Sequence, residues 1–275
     1  MSISVKTFPR LADAAGALSQ ERGARFLAGG TLVMRSVNEA DPTIETIVRS
    51  TDPSLTHIGL SSGRVELGAG VTMAAILAER ELSYLHPVAR IIGGPAVREA
   101  ATVGGNLFAP PPYGDFAAAL LALDAIVMLA GGFGQRELPL EELLSRRERG
   151  PTLVSSVAFR RPANDTFRFV KVTRVHPKGA SVLSISAQLP LSSGRLSGAR
   201  IAYGAMGPSP LRAKAAERAL EGRTLDAAGI APALAVAHDG TAPTDNAIAS
   251  AWWRREILPV HLRRLLLGEQ SVRRS

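Results

Sequence analysis

The stretch Phe26-Leu27-Ala28-Gly29-Gly30-Thr31-Leu32-Val33 decides how this chain is read, because it runs an apolar segment straight into a glycine pair. The residues Arg25 to Ala28 predict a short strand that ends at Gly29-Gly30. Glycine takes positive φ without a steric penalty and lets another group come close to the backbone. Successive N–H groups in such a turn converge into an anion-binding nest, in which phosphate fits. Thr31 adds a hydroxyl donor beside it. The same residues also describe a plain tight turn. They lack the GxGxxG spacing of a dinucleotide-binding Rossmann loop.

Upstream of this stretch, Leu11, Ala14, Ala15 and Leu18 fall at i, i+3, i+4 and i+7, the spacing of an amphipathic helix. Downstream, a helical or loop segment leads to a second strand, Ile44 to Val48. This alternation predicts a small parallel βαβ layer over residues 1–55. From His57 the rhythm changes. His57 to Leu60, a Ser-Ser-Gly turn and Arg64 to Gly68 predict a hairpin, and Thr72 is placed to cap a short helix through Met73, Ile76 and Leu77. A helix near Pro87–Ile92, an apolar helix over Phe116–Leu123 and strands at Ile126–Ala130 and Leu153–Phe159 follow.

The polar, proline-bearing run Arg160-Arg161-Pro162-Ala163-Asn164-Asp165 marks a domain boundary. Beyond it lie three apolar strands, Phe167–Val172, Val182–Leu189 and Leu196–Tyr203, and a glycine and proline turn, Gly204–Pro210. Three helices close the chain near Leu211–Leu220, Asp226–His238 and Ala247–Leu267. The fold class is therefore α+β. A two-part domain, 1–160, joins the small parallel layer (1–55) to a mixed or antiparallel sheet (56–160), and 161–275 forms a three-stranded sheet with a helical bundle.

A second glycine pair lies in Ala101-Thr102-Val103-Gly104-Gly105-Asn106-Leu107. It follows a predicted helix and offers backbone N–H groups, with the side chains of Thr102 and Asn106 as further donors. Alone it is a turn. Two such loops of like composition fit a two-part site for a long phosphate-bearing ligand as well as they fit two turns. Asp115 stands nine residues past Asn106. Its first reading is the N-cap of the Phe116 helix, and its sharper one a carboxylate that accepts hydrogen bonds from ligand hydroxyls; both can hold at once through different oxygens.

The composition narrows the classes. Hydrophobic residues make up 46% and charged ones 20% of 275 residues, ordinary for a soluble protein of two domains. No run reaches the roughly 18 uncharged apolar residues of a membrane span, and the first twenty residues lack a signal-type apolar core, so a cytoplasmic address is expected. The absence of cysteine excludes disulfides, thiolate chemistry and cysteine-held iron–sulfur clusters within this sequence. Five scattered histidines, His57, His86, His176, His238 and His261, show no metal-ligand spacing, so no metal is assigned. The net charge of +8 invites a nucleic-acid reading. Spread arginines, with doublets that include Arg160-Arg161, Arg254-Arg255, Arg263-Arg264 and Arg273-Arg274, and aromatic content of 5% argue against one. A basic face for an acidic protein partner fits better.

Taken in order, these motifs resemble the FAD-binding subunit of molybdenum hydroxylases, the family of the carbon monoxide dehydrogenase medium subunit and the xanthine dehydrogenase flavin domain. The resemblance is carried by Ala28-Gly29-Gly30-Thr31, by Ala101 to Asn106 with Pro95-Ala96-Val97-Arg98 ahead of it, and by Asp115 to Asp124. Gly204 to Ala213 and Trp252 to Leu267 extend it over nearly the whole chain. It implies that backbone N–H groups of Ala28, Gly29, Gly30, Thr31, Leu32 and Val33 hold the FAD pyrophosphate. Thr102, Val103, Gly104, Gly105 and Asn106 would lie along the ribityl and isoalloxazine part, with Asp115 on a ribityl hydroxyl. Lys171 would place a cation near the ring, and Leu153 an apolar side chain; by themselves these residues also fit a strand lysine and a core leucine. The implied site is a groove between the domains.

The resemblance further implies partners: an iron–sulfur subunit, a large molybdenum-cofactor subunit, and a small-molecule or protein electron acceptor. Three departures stand out. Leu32 replaces a small polar residue, Ala109-Pro110-Pro111-Pro112-Tyr113 is a stiff lead into Asp115, and Val175-His176-Pro177-Lys178-Gly179 lacks an aromatic found in some relatives. Two other classes remain open. One is a self-sufficient flavin reductase, for which no serine or glutamate proton donor stands out. The other is a docking protein without flavin.

Overall fold

The computed structural model describes residues 3–131, 134–146, 152–175 and 179–269. His176, Lys178 and the Arg273-Arg274 doublet lie outside the described residues. The chain opens with β1 (Ser4–Phe8), α1 (Leu11–Gln20), β2 (Ala24–Phe26), α2 (Val33–Asn38) and β3 (Thr46–Ser50). The strands form a parallel sheet in the order β1-β3-β2, the expected βαβ layer. Leu11, Ala14, Ala15 and Leu18 are the buried stripe of α1, as their spacing requires. The strand β1 has no counterpart in the sequence reading. Its Val5 is 61% exposed, so the strand carries no apolar face for a periodicity argument to find.

Next come β4 (Ile58–Ser61), β5 (Arg64–Gly68), α3 (Met73–Ala78), α4 (His86–Arg90), α5 (Pro95–Ala100), α6 (Val103–Leu107) and α7 (Asp115–Ala122). Then follow β6 (Ile126–Gly131), β7 (Gly134–Pro139), α8 (Leu140–Arg146) and β8 (Leu153–Arg160). The five strands make one sheet, β4-β5-β8-β6-β7, antiparallel at every pairing. Thr72 caps α3 by accepting a hydrogen bond from Ala75 N at 3.1 Å. The polar run Gln135-Arg136-Glu137 gives β7 no apolar alternation, so neither it nor the following α8 is among the elements that the sequence predicts.

The last third contains β9 (Phe167–Thr173), β10 (Ser181–Gln188), the small ribbon β11 (Leu191–Ser192) and β12 (Arg195–Leu196), β13 (Arg200–Gly204) and β14 (Leu211–Arg212). Three helices follow, α9 (Lys214–Leu220), α10 (Ala227–Ala235) and α11 (Ala251–Leu267). The main sheet is β14-β13-β10-β9, the three expected strands plus a two-residue edge strand.

Two compact units result, Met1–Ala109 with Ala125–Arg161, and Pro110–Asp124 with Pro162–Ser275. The second unit thus takes α7 from the middle of the chain, a helix that a single cut at residue 160 leaves in the first. In this unit Leu183, Ile185 and Ala187 of β10 face a core shared with Tyr203, Ile230, Leu258 and Leu262. Strand alternation turns Ser184 and Ser186 to the opposite face, on which α7 lies. Every residue of α7 is buried, so small side chains there let an apolar helix approach closely.

Candidate functional site

The first glycine loop is held at both ends by the backbone. Leu27 N donates to Val48 O at 2.8 Å, and Met34 N donates to Gly30 O at 2.9 Å. Between these anchors, the N–H groups of Ala28, Gly29, Gly30, Thr31, Leu32 and Val33 donate to no acceptor among the described residues. None of these residues is buried, so the six consecutive donors are open to water or to a ligand, the last of them as the free N–H groups at the start of α2. Gly30 has φ of +76°, the left-handed conformation that turns neighbouring N–H groups together. The arrangement suits a multiply charged anion.

Gly29 has a different role. A Cβ at that position would stand 1.5 Å from the carbonyl oxygen of Ala100 and 3.3 Å from Thr102 Cγ2. The loop therefore lies directly on the end of α5 and the start of the second glycine segment. The structure brings the two motifs together.

The second segment is not the donor loop expected from its composition. Val103 to Leu107 form α6, and their donors are spent inside the protein. Val103 N donates to Val71 O at 2.9 Å and Gly104 N to Ala69 O at 2.7 Å. Gly105 N donates to the Thr102 hydroxyl at 3.0 Å, and the Asn106 amide to Thr102 O at 3.0 Å. Thr102 is thus the N-cap of α6, its hydroxyl accepting from Gly105 N while its O–H stays available to donate. Gly104 is a packing glycine, since a Cβ would fall 2.8 Å from Ala69 Cβ. Ala69 N donates in turn to Ser155 O at 2.8 Å, in the strand that begins at Leu153. Leu153 is buried and pairs with Ala130.

Asp115 and Lys171 come together in the second unit. The Lys171 Nζ stands 2.9 Å from Asp115 Oδ2, with both side chains nearly buried. Ser181 donates its hydroxyl to Asp115 Oδ1 at 2.7 Å. Asp115 is not the N-cap expected from sequence. Gly114, with φ of 95°, occupies that position and Asp115 is the first helical residue. Its carboxylate is free to form the buried pair because the cap is a glycine. Ser181, fully buried in the structure, is not among the residues the sequence singles out; its place directly ahead of the apolar run Val182 to Leu189 is the local signal.

One expected surface residue is internal. Arg254 is 1% exposed and donates to Val182 O at 2.9 Å, Thr244 O at 2.6 Å, Ala249 O at 2.7 Å and Asn246 Oδ1 at 2.9 Å. It ties α11 to β10 and to the preceding loop, so it offers nothing to a partner. Burial lowers its pKa, against the raising influence of Asp245. Among the described residues, no helix is long and apolar enough to cross a membrane.

Comparison with known proteins agrees with this geometry. Residues 4–159 match the family described as the FAD binding domain in molybdopterin dehydrogenase, and residues 169–268 match the CO dehydrogenase flavoprotein C-terminal domain. The chain is 27% identical over 259 residues to the 6-hydroxypseudooxynicotine dehydrogenase complex subunit alpha of Paenarthrobacter nicotinovorans, covering 88% of this chain and 86% of the relative. It is 28% identical over 235 residues to the xanthine dehydrogenase FAD-binding subunit of Escherichia coli O157:H7, covering 78% of each. Among solved structures, reconstituted CO dehydrogenase from Oligotropha carboxidovorans superposes with a TM-score of 0.86 at 25% identity, covering 97% of this chain and 96% of the other.

Proposed function

Because this chain belongs to the family of FAD binding domains in molybdopterin dehydrogenases, we propose that it is the flavin-carrying subunit of a molybdenum hydroxylase complex, passing electrons from iron–sulfur clusters to an external acceptor. The carrying observation is the run of unpaired N–H groups from Ala28 to Val33. Bound there, FAD supplies the redox chemistry, and the protein's task is to bind, orient and tune it. Ala28, Gly29, Gly30, Thr31, Leu32 and Val33 hold the pyrophosphate through their backbone. Thr102, Val103, Gly104, Gly105 and Asn106 form the rigid backing of that loop for the ribityl and ring part. Leu153 adds apolar packing. Lys171 brings a cation toward the ring, and Asp115 fixes it while keeping lone pairs for a ribityl hydroxyl, since a carboxylate has about four acceptor sites. The absence of cysteine fits this division, because clusters then belong to other subunits.

The test separates the site from backbone strain. Gly30→Val places a β-branched residue at φ of +76° within the donor run, whereas Gly63→Val carries the same strain at φ of +80° with nothing within 4 Å of its Cβ. In a titration followed by flavin absorbance and fluorescence, Gly30→Val is expected to lose affinity by at least about tenfold and Gly63→Val to bind like the parent. Parental affinity in Gly30→Val would make the loop an ordinary turn.

A further inference from the structure

The outward face of α11 presents aromatic surface that its own unit does not use. Trp252 and Trp253 are 65% and 47% exposed and Val260 is 47% exposed. The two indole rings stand 6.1 Å apart at an interplanar angle of 44°. At helical spacing Trp252, Glu256, Val260 and Arg263 share one side, with Trp253 and Arg264 along its flank. The other side is fixed by the core contacts of Leu258, Leu262, Leu265 and Leu266 and by the bonds of Arg254. Ser250 caps the first turn by accepting from Trp253 N at 3.1 Å. The helix cannot rotate to hide its indoles without exposing that core.

Excess charge lies in the part of the chain that contains α11. Residues 1–161 carry 16 basic and 16 acidic side chains, and residues 162–275 carry 16 and 8, so the whole net charge of +8 falls after the boundary. Arg255 and Arg264 are exposed and pair with no carboxylate among the described residues, while Arg263 pairs with Glu269 at 2.6 Å.

We propose that this face of α11 is a docking surface for another subunit of the complex, one presenting an apolar pocket for Trp252 and Trp253 and a rim of carboxylates for Arg255 and Arg264. The proposal rests on the subunit reading above. Exposed tryptophans ringed by arginine have the composition of interface hot spots. A second copy of this chain is disfavoured, because it would bring together two segments that each carry 16 basic and 8 acidic side chains. A lipid surface is disfavoured because Glu256 sits within the stripe, and the broad apolar face that a membrane-lying helix needs is already spent on the core.

The experiment uses the FAD-loaded chain with the iron–sulfur and molybdenum subunits produced beside it, and follows assembly by sedimentation at low and moderate salt. The parent is expected to assemble. Trp252→Ala/Trp253→Ala is expected to weaken assembly by about tenfold or more at unchanged FAD content. Arg255→Glu/Arg264→Glu is expected to weaken it as well and to remove most of its salt dependence. If the parent assembles and both variants match it, the docking surface lies elsewhere and the subunit reading stands. If the parent does not assemble, the subunit reading fails and this proposal with it. Self-association of the parent alone that the tryptophan variant abolishes, or tryptophan-dependent binding to phosphatidylserine vesicles, would overturn the proposal in favour of those occupants.

Discussion

Asp115 and Lys171 show how much one buried pair decides. Their side chains are 6% and 11% exposed and their charged atoms 2.9 Å apart, with Ser181 completing the carboxylate's partners. Removing one charge from such a pair leaves the other buried and uncompensated, at a cost of about 3–5 kcal/mol. Asp115→Ala and Lys171→Met are each expected to destabilise the protein by that order. The double variant should cost clearly less than the two together, because no orphan charge remains. Denaturant unfolding of the flavin-free parent, single and double variants measures this; additive losses would mean the pair contributes no coupling. The same comparison explains what the residues alone left open. Sequence offered Asp115 two roles, a cap and a ligand acceptor, because an aspartate ahead of an apolar helix suits both. It did not offer the third, since the serine and lysine that engage it lie 66 and 56 positions away.

Elements were readable where an apolar pattern met a plain stop signal, and were misread where tertiary contacts overrode propensity. The stripe of α1 and the cap of α3 needed nothing beyond local chemistry. The second glycine pair was read as a loop because glycine is a poor helix former. It is helical because Val71, Ala69 and the Thr102 hydroxyl take its first N–H groups, and two of those acceptors lie about thirty residues upstream. In α7 the difficulty was opposite: a helix apolar on all sides does not announce which sheet it covers. An acid-sensitive joint also lies between elements. Asp52 accepts from the Ser54 hydroxyl at 2.7 Å, from Leu11 N at 3.0 Å and from Ser54 N at 3.0 Å, linking the start of α1 to the turn after β3. These bonds, led by the serine hydroxyl, hold its pKa below the ordinary 3.8 despite an opposing desolvation effect. A depressed carboxylate contributes stability that is present above the unfolded value and lost as pH falls through the folded one. The stability gap between the parent and Asp52→Asn is therefore expected to be constant near neutral pH and to shrink below about pH 4. Thermal or denaturant melts across that range measure it, and a gap that persists unchanged in acid would show that Asp52 does not act as an ionised acceptor.

At the scale of the whole molecule, the proposed role as one subunit among several has consequences for what the chain does alone. Its 275 residues contain no cysteine, so no cluster can be held by thiolates within it, and no acid–base pair is assigned to it. Its run of backbone donors without a protein partner, Ala28 to Val33, lies through Gly29 against the end of α5 and the cap of α6, and its excess charge lies after the domain boundary. A chain of this kind binds and tunes a flavin but cannot draw electrons from an organic substrate that requires a molybdenum centre. The isolated, FAD-loaded protein is therefore expected to be reduced by dithionite and reoxidised by an added acceptor, because bound flavin keeps its intrinsic chemistry. It is expected to show no turnover of aldehydes, purines or carbon monoxide. Turnover should appear on adding the iron–sulfur and molybdenum subunits, and it should fall as salt rises and screens the basic surface that draws them together. Steady-state assays of the lone chain, of each pairwise mixture and of the full set distinguish the outcomes. Substrate oxidation by the lone chain, free of other subunits, would replace the subunit assignment with a self-sufficient flavoenzyme.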